Sequence, residues 1–206
     1  MNLLCGTPTG ADELFADLTR RYAEPHRVYH TLDHIAHVLR IINDLKDLSK
    51  DLAAIRLAAW FHDAVYDPTA SDNEEQSAAY ADRWLARLRL PQALIRSVDA
   101  MILATKTHQA EDGDAQVLID ADLAILGADR EDYTRYASAI RQEYAWLSDE
   151  DYRAGRVRVL QGFLSRERLY LTEPMHRRYD AAARRNLAWE VERLRRPCAW
   201  PAAGAG

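Results

Sequence analysis

The sequence predicts an all-α fold: a compact multi-helix bundle with additional helices towards the C-terminus. Apolar residues recur at three- and four-residue spacing in segment after segment. The segments are bounded by helix-start and helix-stop residues. No internal repeat, glycine-rich phosphate loop or β-hairpin signal interrupts the pattern. The expected organisation is a single helical domain over residues 1–196, followed by a weakly ordered tail over 197–206 (PCAWPAAGAG).

The first helix is expected over Ala11–Tyr22, where Leu14, Phe15, Leu18 and Tyr22 share a face. Pro25 disfavours helical geometry at Glu24, so Glu24–His30 (EPHRVYH) reads as a turn into the next helix. Thr31 can cap that helix, and Ile35, Val38, Leu39, Ile42 and Leu45 carry it to about Leu48. Asp51–Tyr66 reads as a buried helix because it is long and rich in alanine, with Pro68 as its stop. Ser71 and Glu74 fit a capping box for a helix reaching Leu88, and Pro91 opens another that ends near Thr105. Lys106–Asp114 (KTHQAEDGD) is a polar loop. Ala115–Leu126 is apolar again; its β-branched residues admit a strand, but its helical neighbours and Gly127 as a C-terminal signal favour a buried helix. Glu131–Leu147, Asp149–Arg166 and Pro174–Arg195 are amphipathic helices whose charged faces meet solvent.

Composition narrows the function classes. A net charge of -5 gives no basic footprint for extended nucleic-acid binding or for an anionic membrane surface. No window approaches 18 uninterrupted apolar residues, and the N-terminus lacks the charged-then-apolar pattern of a leader, so a soluble, unprocessed, cytoplasmic protein is expected. Cys5 and Cys198 stand in neither a zinc-type nor a redox-type spacing and are read as free thiols of a reducing compartment. An exposed tyrosine and tryptophan surface on the later helices would permit a homodimer.

The chemistry lies in polar residues set where the chain is driest. In LAAWFHDAVYD, His62 and Asp63 interrupt an apolar run, and Asp120 and Asp122 do the same in AQVLIDADLAIL. A buried carboxylate costs several kcal/mol unless it is hydrogen-bonded, paired or bound to a metal. His30, His34 and His37 fall at i, i+4 and i+7 and can converge on one side of the second helix, with His26 one turn earlier. A lone histidine in such a stripe is more often a core residue than a ligand, so not all four are expected to act. Imidazoles and carboxylates together suit a divalent ion such as Zn, Mn or Fe, and His34, His62, Asp63 and Asp122 are the candidate ligands.

The order His34, His62-Asp63, Asp122 resembles the H…HD…D signature of the HD-domain metal-dependent phosphohydrolases. More narrowly, EPHRVYHTLDH, LAAWFHDAVYDP, DNEEQSA, DADLAILG and IRQEYAWL are similar to segments of a bacterial group of predicted HD-superfamily hydrolases, over about residues 22–186. The resemblance implies a helical bundle around a buried metal site holding one ion or a close pair (Mn, Mg, Zn, Co or Fe), held by those four residues. It implies hydrolysis of a small phosphorylated molecule, with a nucleotide as first candidate, by metal-activated water. Tyr29-His30-Thr31 is similar to the Tyr-His-Asn step of cyclic nucleotide phosphodiesterases, which makes His30 the candidate general acid, with threonine where that family has asparagine. Asp67 is a candidate to orient water, or else a turn residue. His108 is a candidate ligand of a second metal, and Asp120 supports the ligands from behind. Arg27, Lys106, Arg141 and Arg156 are the candidate phosphate-binding cations. Glu74 and Glu75 can approach the metal but fit a helix start more simply. A di-iron oxygenase on the same scaffold and a non-catalytic metal- or nucleotide-binding domain are the alternatives.

Overall fold

A computed structural model describes residues 10–196. The tail expected over 197–206, with Cys5 and Cys198, lies outside the described residues. Among the described residues every regular element is helical: α1 (Gly10–Arg21), α2 (Leu32–Asp44), α3 (Leu52–Phe61), α4 (Asn73–Arg87), α5 (Gln92–Thr105), α6 (Gly113–Asp122), α7 (Arg130–Glu143), α8 (Asp149–Leu164) and α9 (Glu173–Arg195), with 3₁₀ turns at Lys46–Leu48 and Leu123–Gly127. The expected all-α class is what the chain adopts. The helices form two compact units, the first ending at Asp122 and the second beginning at Leu123. No helix among the described residues is long and apolar enough to cross a membrane.

In the first unit, α3 is the central element, and α2, α4, α5 and α6 pack on it. Its alanines explain why: Ala54, Ala58 and Ala59 are fully buried and let neighbouring helices approach closely, while Ile55 and Phe61 fill the space between. Ile35, Val38 and Ile42 of α2, Val98 and Ile102 of α5, and Val117, Leu118 and Ile119 of α6 complete a core without exposed surface. Full burial of such a side chain contributes about 1.5–3 kcal/mol. The start of α3 is doubly capped. Asp51 accepts from the Ala54 amide at 2.9 Å, and the buried Asp114 accepts from the amides of Lys50 and Asp51 at 2.7 and 2.9 Å.

The second unit is built on α9, which packs against α8 and the 3₁₀ turn, and α7 packs on the same turn. Asn186 donates to the carbonyls of Leu126 and Ala128, both at 2.9 Å, and the Tyr170 hydroxyl donates to Leu123.

Several sequence expectations change. The helix expected over Asp51–Tyr66 stops at Phe61, so His62 and Asp63 leave its end rather than ride its face. The Ser71–Glu74 capping box does not form: Asp72 is the N-cap of α4, and the Ser71 carbonyl accepts from Lys106. Thr31 stands at the N-cap of α2, but its hydroxyl caps no amide. Gly127 does close the Ala115–Leu126 segment, though without a left-handed conformation. A side chain there would meet Cβ of Tyr179 at 2.7 Å, so its role is close approach of α9. The exposed tyrosine surface is absent from the later helices, whose tyrosines are all buried or half-buried; Trp146, at 54% exposure, is what remains of it.

Candidate metal centre

Four of the sequence-predicted residues meet at one point in the first unit. His34 comes from the first turn of α2, His62 and Asp63 from the turn that ends α3, and Asp122 from the last position of α6. His34, His62 and Asp63 each offer a donor atom within 4.8 Å of the others. Asp122 stands outside that mutual group but adjoins both imidazoles, its Oδ1 3.2 Å from His34 Nε2 and 3.5 Å from His62 Nε2. Asp63 Oδ2 lies 3.5 Å from His34 Nε2 and 3.1 Å from His62 Nε2, and the two Nε2 atoms are 3.3 Å apart. Nitrogen and oxygen donors bound at about 2.0–2.2 Å to one ion stand roughly 3–3.5 Å from one another, which is the spacing found.

The hydrogen-bond inventory makes the fit specific. His62 Nδ1 lies 2.9 Å from the Ala59 carbonyl, which can only accept, so Nδ1 carries a proton. In a neutral ring Nε2 is then a lone pair aimed at carboxylate oxygens that also only accept. Such a set closes either with a proton on Nε2, which then donates to the carboxylates, or with a divalent ion between the donors. The titration behaviour shows how strongly the carboxylates draw positive charge to this point. Burial alone would push both imidazoles down, yet His62 is held well above its usual range by the charge of Asp63 and its bonds with Asp122 and Asp63, and His34 is raised by its bonds with Asp122 and Asp63. Burial would push both carboxyls up, yet Asp63 is held well below its usual range by the charges of His62 and His30, and Asp122 by bonds from His108, His34 and His62. A divalent ion fits this donor set.

The turn that carries His62 and Asp63 is held at nearly every carbonyl. The last four carbonyls of a helix lack partners within it. Here Ala58 accepts from the His62 amide, Ala59 from the His62 ring, Trp60 from the Tyr22 hydroxyl and Phe61 from the Ala64 amide. Further on, Asp63 and Ala64 accept from Arg27, Val65 from Ser77 and Tyr66 from the ring of His26 at 2.8 Å. A helix can therefore end in the middle of an apolar run without stranding its backbone.

The other candidates fall into place around this centre or away from it. His108, in left-handed backbone at φ 51°, brings Nε2 to 3.5 Å from Asp122 Oδ2, the oxygen turned away from the imidazole pair. His30 lies beside the centre, its ring 5.8 Å from that of His34 and 4.3 Å from that of Tyr66, so of His30, His34 and His37 only His34 enters the converging set. Asp120 is fully buried two residues before Asp122. Asp67 is a turn residue: its carboxylate accepts from the Thr69 amide and hydroxyl, and its backbone pairs with Asn73.

The candidate phosphate ligands are engaged elsewhere. Arg27 has no exposed side-chain surface and commits four of its five N–H groups to Glu24 and to the carbonyls of His30, Asp63 and Ala64, which corrects its assignment as a phosphate ligand. Lys106 pairs with Glu75 and the Ser71 carbonyl, tying the loop of His108 to the start of α4. In the second unit, Arg141 bonds the carbonyls of Tyr144 and Leu147 and pairs with Asp149, and Arg156 is buried against Glu190. Sequence reasoning missed Tyr66, which stacks on His26 and lies tilted against His30, and the clamping role of Arg27. The one available signal was their place in the EPHRVYH and HDAVYD segments.

Comparison of the chain with family models, curated proteins and solved structures returns no match.

Proposed function

We propose that the protein is a metal-dependent phosphohydrolase of HD-domain type, cleaving a phosphomonoester, phosphodiester or phosphoanhydride bond of a small molecule, with nucleotides as the first class to test. The observation that carries the reading is the asymmetry of the centre. The imidazoles of His34 and His62 are shut in at 2% exposure, whereas the carboxylates of Asp63 and Asp122 keep 20% and 15%. A site that only staples helices closes its coordination sphere with protein, while a catalytic one keeps a face open.

A divalent ion in such a setting acidifies water towards neutrality and offsets charge on phosphoryl oxygens. The chain's own residues supply the rest. His34, His62, Asp63 and Asp122 hold the ion. His30, backed by the ring of Tyr66 and electrostatically coupled to Asp63, is the group to protonate the leaving oxygen.

The test pairs elemental analysis of the purified protein with a screen of nucleotides and sugar phosphates in Mn, Mg, Co, Zn and Fe. Metal-dependent phosphate release that disappears in Asp63→Asn is expected. A metal-loaded protein that hydrolyses no member of the screen overturns the reading.

A second reading has one observation in its favour. Asp122 turns one oxygen to the imidazole pair and the other to His108, so it can bridge two ions. A di-iron oxygenase needs that arrangement. Two irons per chain with oxygen consumption would select it, and one ion per chain excludes it.

A further inference from the structure

Arg27 is one of the least accessible charged side chains of the first unit, and its one carboxylate partner, Glu24, is itself 36% exposed. Burying a guanidinium costs several kcal/mol unless its donors are matched. They are matched here by backbone. Nη1 donates to the carbonyl of Asp63 at 2.7 Å and to that of His30 at 3.2 Å, and Nη2 donates to that of Ala64 at 3.2 Å. The rings of Tyr22 and Tyr66 lie 5.1 and 5.4 Å from its central carbon. The three carbonyls belong to two segments far apart in sequence. One carries the ligand Asp63; the other carries His30 and leads within four residues to His34.

We propose that Arg27 is a positioning residue of the metal centre: its planar fork spans the His30 and Asp63 segments and sets the separation of the donors they carry. The proposal rests on the metal-binding half of the function proposed above and is independent of the reaction. It also separates geometry from charge. Arg27 is a cation behind a cation site, so its charge opposes metal binding, and only its shape can favour it. A lysine keeps the charge but replaces five donors in a rigid plane by three on a flexible stem.

The experiment compares wild type, Arg27→Lys, Arg27→Gln and a control, Asp114→Asn, which loosens the opposite end of α3. Each protein is stripped with EDTA, its melting temperature is recorded, and Co²⁺ is titrated while the visible absorption bands, which report coordination geometry, are followed. Both Arg27 variants are expected to bind Co²⁺ about 10- to 100-fold more weakly, with altered bands, as loss of a group that orients metal ligands does. Asp114→Asn is expected to lose melting temperature while keeping wild-type affinity and spectrum. Wild-type affinity and spectrum in Arg27→Lys, or tighter binding in Arg27→Gln, overturns the proposal. So does a loss in the Asp114→Asn control as large as in the Arg27 variants. Should the Arg27 variants not fold, Glu24→Ala decides. Freeing Nε of the guanidinium is expected to weaken Co²⁺ binding by up to about fivefold, the scale of a part-exposed ion pair, and unchanged binding overturns the proposal. A wild-type protein that takes up no Co²⁺ overturns the metal centre itself, and Arg27's role with it. Uptake by wild type that the variants match overturns only the role.

Discussion

In the second unit, Arg156 sends Nε and Nη2 to the two carboxylate oxygens of Glu190, at 2.9 and 3.2 Å, and the Tyr133 hydroxyl donates to the same carboxylate. Donors face acceptors, the charges cancel, and the group is complete. In the first unit, a more open set brings Nε2 of His34 and His62 against oxygens of Asp63 and Asp122, and those contacts close only with a proton on the rings or a cation among them. The amino acids are as polar in one place as in the other. What differs is whether permanently charged donors close the hydrogen bonds, since the imidazole set closes only with an added proton or a cation. Buried charge therefore separates into scaffold and site by counting donors against acceptors.

The comparison breaks most sharply if Asp63→Asn leaves activity intact. That change removes half the negative charge of the centre, and phosphate release should fall by on the order of 10³-fold, because a catalytic ion supplies several kcal/mol of transition-state stabilisation. Metal content of the purified protein should fall in parallel.

The reciprocal test is Glu190→Ala, which strands a buried arginine and should cost about 3–5 kcal/mol in urea unfolding while the folded protein still takes up metal. The double replacement Arg156→Met with Glu190→Leu should cost clearly less than Glu190→Ala alone, since a closed pair can be exchanged for packed apolar groups. A double variant as unstable as the single one would mean that the network contributes more than pairing.

Adding the divalent ion at a hundred times its dissociation constant should stabilise the protein by about 2.7 kcal/mol, reversed by EDTA. The rise in melting temperature should vanish in Asp122→Asn and persist in Glu190→Gln.

The smallest effect concerns pH in the second unit. Burial would raise the Asp180 carboxyl, but bonds from Arg184 and the Leu169 amide hold it below its ordinary 3.8. A depressed carboxyl stabilises the fold fully above the unfolded value and loses that contribution as pH falls through the folded one. Asp180→Asn should therefore flatten the acid limb of the stability curve below about pH 4 and leave neutral pH dependence unchanged.

Helix number, helix order and the residues of the His/Asp cluster were legible in the residues. Polar side chains in apolar runs such as LAAWFHDAVY are costly wherever the chain folds, and the cost marks them before any contact is known. The end of α3 was not legible, because nothing local stops a helix at Phe61; Tyr22 takes the Trp60 carbonyl of α3, and Arg27, His26 and Ser77 take those of the turn beyond it, all from elsewhere in the chain. Arg27 and Arg156 look like any phosphate-binding arginine in one dimension. A guanidinium has the same five donors whether it meets a substrate, a carbonyl or a glutamate, so its partner is set by packing. Composition and spacing were enough to specify an all-helical chain and to single out the imidazoles and carboxylates that cluster in its first unit. Which backbone groups are gripped, which arginines are scaffold, and which face of the acceptor set stays open depend on contacts between residues distant in sequence, and those exist only once the helices have packed.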